Sequence, residues 1–446
     1  MDQRLGVIQR LVDKRVLFST MLSTVSLPHK HFVVEYSSPN VAKPFHVGHL
    51  RSTMIGRFVV NILRAAGHKV TTVNWLGDWG TQFGLLARGF REFGDTSKLK
   101  LAFAGDHGAQ LRPLDHLFEM LYDRLGIEFD HWHSESLYSE RATQLANEWK
   151  RNGYLSTNEE NVTGVQTANR FYPIFKSDGS TLYLTRDLAA ALHRQELFEP
   201  DRLVYVVDTA QTDHFLSIKS VLAALGQERV AEKVSQVKFG RIEAMSTREG
   251  RVVFVEALLS AGMAKSLEMV ESDRNIKVGE EEKLPVAECL ALSALITADL
   301  KQHRQHNYEF NWKRALDVTA ASGVRLQATH ARLCSLERNN VEQFGNFWTD
   351  GSRLTANLTE PEAVKVCHHL CQLERCVERA YSDLEAYHLV HFAFKLCKLV
   401  NSAKKQLRVA GQSESVALPR LFLFVLCRKV LAELMQLLGM RPLKRM

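Results

Sequence analysis

Hydrophobic and polar positions follow two different periods near the start of the chain. His31 to Tyr36 is a short run rich in valine and aromatic residues that ends at a Ser-Ser-Pro-Asn turn, which predicts a strand. Apolar residues then recur at helical spacing from Leu50 to Leu63, and Gly67 follows as an end cap. Lys69 to Trp75 returns to a strand pattern. This order predicts a βαβ unit of a parallel sheet, with ligands at the carboxyl ends of its strands.

The following 200 residues carry weaker signals of the same kind. Further strands are predicted at Thr181–Leu184, Leu203–Val207 and Val252–Val255, with helices at Asp187–Gln195 and Phe215–Leu225. The stretch from about 90 to 169 is polar and irregular, and we interpret it as an insertion into the sheet domain. Residues 1–30 have the pattern of a short amphipathic helix, which could also be a presequence.

Beyond residue 280 the strand patterns fade and amphipathic helices dominate. Helices are predicted at Ala287–Arg304, Trp312–Glu337, Glu360–Tyr387, His391–Gln406 and Leu418–Leu438. The chain is therefore predicted to have an N-terminal segment 1–30, an α/β domain 31–280 with the insertion at about 90–169, and an all-α bundle 281–446.

Composition narrows the class of protein. A chain of 446 residues with 45% hydrophobic and 24% charged residues fits a globular enzyme of two or three domains. The run from Leu421 to Cys427 is only seven apolar residues long, and a membrane helix needs about 20. All seven cysteines lie from Cys289 onward, mostly in helical patterns, so we expect free, buried thiols in a reducing compartment.

Candidate chemistry begins at the first strand-to-helix junction. His46 and His49 stand at the N-terminus of the predicted helix, where unpaired backbone N–H groups and the helix dipole favour an anion such as triphosphate. Gly48 between them would let a nucleotide approach the backbone closely. The alternative is that both histidines only cap the helix or lie on the surface, and the four-residue pattern alone does not decide between these readings.

The fifteen-residue segment around the histidines favours the anion-binding interpretation over a purely capping or surface role. Glu35 to His49 closely resembles the HIGH signature of class I aminoacyl-tRNA synthetases, and its Glu-Tyr-Ser-Ser-Pro-Asn start resembles the arginyl-tRNA synthetase version. Five further blocks resemble the same family in the same order: Asn74–Gly84, Ser177–Asp187, Gln211 with His214, Met245–Gly250 as a degenerate KMSKS loop, and Leu437–Met446. The resemblance implies a Rossmann-like parallel-sheet catalytic domain followed by an anticodon-binding helical bundle.

The resemblance also implies which residues bind the amino acid. The arginine-binding positions that match the family are Glu35, Ser38, Pro39, Asn40, His49, Tyr183, Asp187 and Gln211. Physically, Asp187 can accept a guanidinium group and Tyr183 offers a hydroxyl and a ring face. From the local pattern alone, Asp187 could instead be the N-cap of the helix that follows.

ATP and tRNA are the other implied substrates, and Mg²⁺ the implied cofactor. The positions that match the ATP site are His46, Gly48, His49, Met245, Ser246 and Arg248, with His46, His49, Lys43 and Arg248 as catalytic residues. The loop lacks the second lysine of KMSKS, and family members without it usually carry a lysine just before the first histidine, as Lys43 does here. A solvated loop lysine is the plainer reading of Lys43.

The helical bundle is implied to hold the anticodon arm of tRNA(Arg). Candidate contacts are Arg325, Arg332, Lys404, Arg408 and Met446, although relatives usually carry tyrosines near the positions of Arg325 and Lys404. The chain has a net charge of +7, and residues 395–446 hold eleven basic residues against two glutamates. We therefore expect the positive field to lie on the last helices, where added salt should weaken tRNA binding.

A cysteine and histidine cluster invites a metal interpretation. Cys367 and Cys371 are four residues apart on a predicted helix, with His368 and His369 between them. A zinc site is conceivable, but no second ligand pair occurs at zinc-finger spacing, so we expect ordinary helix residues and no metal.

The leading functional hypothesis is an arginine–tRNA ligase that acts as a monomer and contacts no membrane. The alternatives are a catalytically inactive tRNA-binding paralogue and a stand-alone nucleotidyltransferase. Relatives usually begin with a longer N-terminal domain and have a longer insertion after Gly84. Both differences, with the divergent tyrosines, make the chain resemble a mitochondrial member, so the mitochondrial matrix is expected and the cytoplasm is the alternative.

Overall fold

The computed structural model describes residues 28–41, 45–79, 121–168, 170–176, 179–243, 255–273, 276–344 and 358–446. Several predictions lie outside these residues: the N-terminal helix up to residue 27, the strand at 252–254, Lys43, Met245, Ser246 and Arg248.

A five-stranded parallel sheet forms the centre of the first half. Its strands are β1 (His31–Glu35), β2 (Lys69–Leu76), β3 (His131–Ser134), β7 (Arg202–Asp208) and β8 (Val234–Phe239), in the spatial order β3-β2-β1-β7-β8. β1 pairs with β2 on one side and with β7 on the other, so the order of the strands reverses between β1 and β7. Such a reversal leaves a crevice beyond the carboxyl ends of the strands, which is where parallel sheets bind ligands.

Helices cover both faces of this sheet. They are α1 (Val47–Ala65), α2 (Ser139–Arg151), α3 (Tyr183–Phe198), α4 (Thr212–Ala224) and α5 (Glu228–Lys233). A small antiparallel sheet of β4 (Ser156–Thr157), β5 (Thr163–Gln166) and β6 (Phe171–Pro173) precedes α3. The fold class predicted for this part, a parallel α/β sheet with helices, is confirmed.

Two local predictions in this half differ from the structure. Thr181–Leu184 is not a strand: Thr181 forms one isolated bridge with Phe175, and α3 begins at Tyr183. The stretch predicted as irregular contributes β3 to the main sheet. β3 has the sequence His-Trp-His-Ser, which lacks the apolar run that marks a buried strand; among the described strands, β2 is its one partner, and β3 lies at the edge of the sheet.

The second half is helical. Its elements are α6 (Val255–Ser272), α7 (Glu280–Leu300), α8 (Trp312–Ala315), α9 (Gly323–Phe344), α10 (Pro361–Leu370), α11 (Leu373–Asp383), α12 (Tyr387–Gln406) and α13 (Glu414–Leu437). Two strands of two residues, β9 (Ile242–Glu243) and β10 (Tyr308–Glu309), pair across the predicted domain boundary at 280/281, which stays a prediction.

Two helices predicted as continuous are each divided. The helix predicted at Trp312–Glu337 becomes α8 and α9, because the carboxylate of Asp317 accepts backbone N–H bonds from Thr319 and Ala320 and forms a turn. The helix predicted at Glu360–Tyr387 is divided into α10 and α11 at Cys371 and Gln372.

Helix α1 joins the two halves, since it packs on the sheet and also contacts the helical part. Arg51 forms an ion pair with Asp299 of α7 at 3.0 Å, and both side chains are almost fully buried. The amide of Asn61 donates to carbonyls at the end of α13, and His68 just beyond α1 contacts the hydroxyl of Tyr381 at 2.6 Å. The strand-to-helix junction before α1 is therefore braced by the helical part.

The structure can be compared with the sequence for the cysteines and for membrane-spanning helices. None of the seven cysteines forms a disulfide; five are buried, and Cys371 and Cys376 are half-buried. Among the described residues, no helix is long and apolar enough to cross a membrane.

Candidate active site

A cavity of about 430 Å³ opens at the carboxyl ends of β1, β2 and β7, at the point where the strand order reverses. Its walls include Glu35, Ser38, Asn40, His46, Gly48, His49, Trp75, Glu135, Asp187, Arg194, Asp208, Gln211 and His214. The structure thus brings together predicted residues from β1, α1, α3 and the turn after β7, which are up to about 180 positions apart in the chain.

The turn after β1 has a strained backbone held by a buried polar network. Ser37 and Ser38 have φ angles of 70° and 48°, in the left-handed region that non-glycine residues seldom adopt. The Ser37 N–H donates to the hydroxyl of Ser52, and the Ser38 N–H donates to the side-chain oxygen of Asn74. The hydroxyls of Ser37 and Tyr122 lie 2.6 Å apart. These bonds offset the strain and aim the turn at the cavity.

His46 and His49 both cap α1 and line the cavity. The Nδ1 of His46 accepts the N–H of Gly48 at 3.1 Å, and the Nδ1 of His49 accepts the N–H of His46 at 3.4 Å. The two rings stack with centroids 3.8 Å apart. Because both Nδ1 atoms act as acceptors, each neutral ring carries its hydrogen on Nε2. The two alternatives open in the sequence, capping and anion binding, are therefore compatible here.

The structure shows a local reason for glycine at position 48 that could not be inferred from the sequence. A Cβ at this position would lie 3.0 Å from Cε1 and 3.1 Å from Nδ1 of His46. A side chain would therefore press on the ring of His46 and disturb the cap as well as the access of a ligand to the backbone. This contact is a reason for glycine at position 48 in addition to the predicted close approach of a nucleotide, which stays a prediction.

Glu35 lies in the cavity wall as half of an ion pair. Its Oε2 is 2.5 Å from Nη1 of Arg194, whose side chain is 1% exposed, and the hydroxyl of Tyr205 accepts from the same nitrogen at 3.3 Å. Burial raises the pKa of Glu35, and the guanidinium of Arg194 opposes that rise. Arg194 lies seven residues after Asp187 on α3, so helical spacing places both on the cavity side.

Glu135 is a second carboxylic acid in the wall of the cavity. It follows β3 directly and lies 3.4 Å from Nη2 of Arg186. Burial, together with the charges of Asp187 and Asp78, raises the pKa of Glu135 to about 7, although Arg186 opposes this shift. Sequence reasoning missed Glu135 because it did not predict β3; a strand there would have placed a carboxylate at the carboxyl end of the sheet.

Asp187 contacts a histidine from the neighbouring helix. Its Oδ2 lies 2.6 Å from Nε2 of His214, near the start of α4. Gln211 precedes α4 in a short 3₁₀ turn and lines the same cavity. Asp187 stands in the second turn of α3, four residues after Tyr183, so the N-cap alternative for Asp187 is wrong; the N-cap of α3 is Leu182.

Some predicted residues do not line this cavity. Tyr183 is 52% exposed and lies in a neighbouring depression of about 110 Å³ with Trp79 and Arg186. Pro39 contributes its backbone carbonyl, which accepts the N–H of Gly77 and joins the turn to the end of β2. Asn40, which also bridges to Gly77, does reach the cavity.

Asp208 is a further wall residue that sequence reasoning missed. It ends β7, accepts the N–H of Ala210 at 2.7 Å and lies 3.2 Å from Nε of Arg241. The signal was available, because a polar residue at the carboxyl end of a buried parallel strand is where a ligand site is expected.

The predicted tRNA contacts are divided between two surfaces of the helical part. Arg325 and Arg332 of α9 lie along the side that packs on α12, where Asn401 donates to Thr329 at 3.2 Å. Lys404 of α12 has a lowered pKa because it is half-buried and because Arg332 is near. Arg408 is exposed just after α12. Met446 packs elsewhere, on the apolar cluster that contains Leu443.

The cysteine and histidine cluster of α10 consists of helix residues with local contacts. Cys367 and His369 are buried, and Nε2 of His369 lies 3.0 Å from the carbonyl of Phe392. Within the described part of the chain, no three His, Cys, Asp or Glu side chains are placed to hold a metal ion.

Comparison with known proteins agrees with this architecture. The family model for the catalytic domain of class I tRNA synthetases (R) matches residues 12–106 and 112–312, and the DALR anticodon-binding domain matches residues 326–446. The chain is 36% identical to a mouse (Mus musculus) protein named probable mitochondrial arginine–tRNA ligase, over 94% of this chain and 79% of the relative. It is 33% identical to the mitochondrial arginine–tRNA ligase of Saccharomyces cerevisiae, over 98% of this chain and 77% of the relative.

A solved structure shows the same fold. Arginyl-tRNA synthetase from Plasmodium falciparum aligns with a TM-score of 0.79 at 21% identity, covering 100% of this chain and 83% of that chain. The family models, the full-length relatives and the cavity at the strand reversal agree with one another. The chain therefore belongs to the arginyl-tRNA synthetases, a family of class I aminoacyl-tRNA synthetases.

Proposed function

We propose that this protein is an arginine–tRNA ligase that joins arginine to the 3′-terminal adenosine of tRNA(Arg) at the expense of ATP. One observation carries the proposal. A single cavity is lined by the capping histidines of α1, which suit a phosphate group, and by Asp187, which suits a guanidinium. The two sites are therefore adjacent, as they must be if the carboxylate of arginine is to meet the α-phosphate of ATP.

The first step requires positioning and charge neutralisation rather than a protein nucleophile. An oxygen of the arginine carboxylate attacks the α-phosphorus of ATP, and pyrophosphate leaves as the phosphoanhydride bond breaks. The Nε2–H groups of His46 and His49 are donors of the kind that phosphate oxygens accept, and the N-terminus of α1 adds its positive dipole end. We propose that ATP enters as its magnesium complex, and that Lys43 and Arg248 add positive charge to the phosphate site.

Arginine itself would be held by residues from three elements. Asp187 would accept the guanidinium, while Ser38, Asn40 and Gln211 offer polar atoms around the amino-acid backbone. Glu35 already pairs with Arg194, so its role would be to shape the pocket and to accept further hydrogen bonds from arginine.

In the second step the terminal ribose hydroxyl of tRNA, the 2′-OH in class I enzymes, attacks the carbonyl carbon of arginyl adenylate. The ester forms and AMP leaves. We propose that the anticodon arm docks on the basic side of α9 and α12, at Arg325, Arg332, Lys404 and Arg408. Phosphate contacts there would make binding sensitive to salt.

The finer expectations also belong to this proposal. We propose that the enzyme acts as a monomer in the mitochondrial matrix, because two of the relatives above carry mitochondrial names. A cytoplasmic arginine–tRNA ligase of Saccharomyces cerevisiae is also 32% identical, so a fluorescent fusion must decide the compartment. A fusion confined to the cytosol would contradict the matrix assignment.

The test of function is ATP–pyrophosphate exchange driven by arginine, with and without tRNA(Arg), followed by esterification of the tRNA. Citrulline is the matched control substrate, because its neutral urea group has nearly the shape of the guanidinium. We expect arginine-dependent exchange in the presence of tRNA and none with citrulline. A protein that binds tRNA but shows no exchange under either condition would be the inactive paralogue.

A further inference from the structure

The contact between Asp187 and His214 differs from the other acidic contacts in the cavity. Asp187 belongs to α3 and His214 to α4, and their side chains meet at 2.6 Å in the cavity wall. The two side chains are 28% and 35% exposed. A ligand in the cavity can therefore reach the pair, while the contact holds the two helices in a fixed relation.

The carboxylates in the cavity wall differ in whether their partner is a permanently charged guanidinium or a titratable imidazole. Glu35 pairs with Arg194, Glu135 with Arg186, and Asp208 with Arg241. A guanidinium stays charged at every physiological pH, so each of these pairs keeps its matching cation. Among the described carboxylates that line the cavity, only Asp187 is paired in the structure with a titratable group, the imidazole of His214.

The imidazole can exist in two states with different consequences. A neutral His214 donates its Nε2–H to Oδ2 of Asp187 and leaves a full negative charge on the pair. A protonated His214 donates the same bond but cancels that charge, so an arriving guanidinium would meet a neutral pair. Because the hydrogen bond is the same in both states, protonation changes the charge of the site without removing the contact.

The surroundings of His214 favour the protonated form of its imidazole. Burial lowers its pKa, but the hydrogen bond and charge of Asp187, with the charge of Glu35, raise it above the ordinary value of 6.5. The other charged or titratable groups that line the cavity are Arg194 on α3, Glu135 after β3, Asp208 after β7, and His46 and His49 of α1. Arg194 pairs with Glu35, Glu135 with Arg186 and Asp208 with Arg241, so Asp187 is the direct partner of His214.

We propose that His214 is a positioning residue that orients Asp187 for the guanidinium of arginine and releases a proton when arginine binds. The inference rests on the proposed function. Its consequence is that arginine affinity rises with pH as the proton leaves His214, and levels off once the imidazole is neutral in the free enzyme.

The experiment compares the wild type with His214→Gln between about pH 5.5 and 8.5, around the titration range of histidine. The amide of Gln can donate the same hydrogen bond but does not titrate. We expect the KM for arginine in the wild type to rise as pH falls, by at most about tenfold per pH unit. In His214→Gln the rise should be clearly smaller, because Glu135, whose pKa is also raised to about 7, is then the wall carboxyl that still titrates in this range. The KM for ATP is the internal control, since general loss of the fold would change both constants.

Calorimetry gives a second measure that does not depend on turnover. Arginine binding to the wild type in buffers of different ionisation enthalpy should release a fraction of a proton near the pKa of His214, and His214→Gln should release less, with only the contribution of Glu135 left. Coinciding pH profiles of the two proteins, or equal proton release, would overturn the inference. A wild type without any arginine-dependent exchange would instead contradict the proposed function, so the two failures are distinguishable.

Discussion

The walls of the cavity and the interior of the helical part bury very different groups. In the cavity wall, Arg194 is 1% exposed and matched by Glu35. In the helical part, α13 buries Leu421 to Cys427 against α9 and α12, where burial keeps the thiols of Cys397 and Cys427 neutral by raising their pKa. Buried charges must be paired and are costly when a partner is lost, whereas apolar burial stabilises without a partner. Removing one partner of a charged pair in the cavity wall is therefore costly, whereas the apolar interior of the bundle is stable without such pairs.

The largest effect is expected at the cavity. Asp187→Asn keeps the volume but removes the charge that the guanidinium requires. Losing one partner of a buried charged hydrogen bond costs about 2–5 kcal/mol, so kcat/KM for arginine should fall roughly 30- to 5,000-fold. Steady-state arginylation measures this, with the KM for ATP expected to change little. An unchanged KM for arginine would remove Asp187 from the pocket.

Arg194→Met tests the buried pair that supports the cavity. The change leaves Glu35 in a buried site without its cation, and breaking such a pair costs about 3–5 kcal/mol. Urea denaturation should show this loss in the free energy of unfolding. The double variant with Glu35→Gln should recover part of it, since no uncompensated charge remains. Equal stability of wild type and Arg194→Met would show that the pair carries no net energy.

A matched change in the bundle should affect stability alone. Leu426 is 1% exposed in α13, and Leu426→Ala leaves a cavity that costs about 2–5 kcal/mol. Below the unfolding temperature of the variant, we expect the KM for arginine to equal that of the wild type. A shift in KM comparable to that of Asp187→Asn would mean that the core of the bundle shapes the pocket directly.

Lys404→Ala tests the basic surface of the bundle. If Lys404 contacts one phosphate of tRNA, the slope of log Kd against log salt concentration should decrease by about 1. Lys365→Ala on α10 is the matched control, because Lys365 is an exposed lysine of a different helix and already pairs with Glu362. Identical slopes for the wild type and Lys404→Ala would place the anticodon arm elsewhere.

Glu135 should also give the protein a pH-dependent stability. Its pKa in the folded protein is raised to about 7 from an ordinary value of 4.5. A raised carboxyl pKa means that the folded state holds the proton more tightly, so its contribution to stability is complete below pH 4.5 and is lost as pH rises to about 7. Glu135→Gln should remove this part of the pH dependence in urea denaturation. Parallel curves for the two proteins would contradict it.

Much of the site could be predicted because local signals were strong. The Ser-Ser-Pro-Asn turn, the two histidines and Gly48 lie within fifteen residues, and strand and helix patterns flank them on both sides. The partners of Glu35 and Asp187 could not be predicted in this way. Arg194 and His214 come from helices whose positions depend on the packing of α3 and α4 on the sheet, and no local pattern encodes that packing.

The sequence by itself determined the family, the parallel α/β sheet followed by a helical bundle, and the turn and histidines after β1 that line the cavity. These depend on periodicity and on short colinear motifs, which act over a few turns of chain. Only the tertiary structure decided that β3 completes the sheet, that Tyr183 lies outside the cavity, and that each acidic wall residue has its own cation or imidazole. Charge pairing across helices depends on distances between segments far apart in sequence, so it follows from packing rather than from any local pattern.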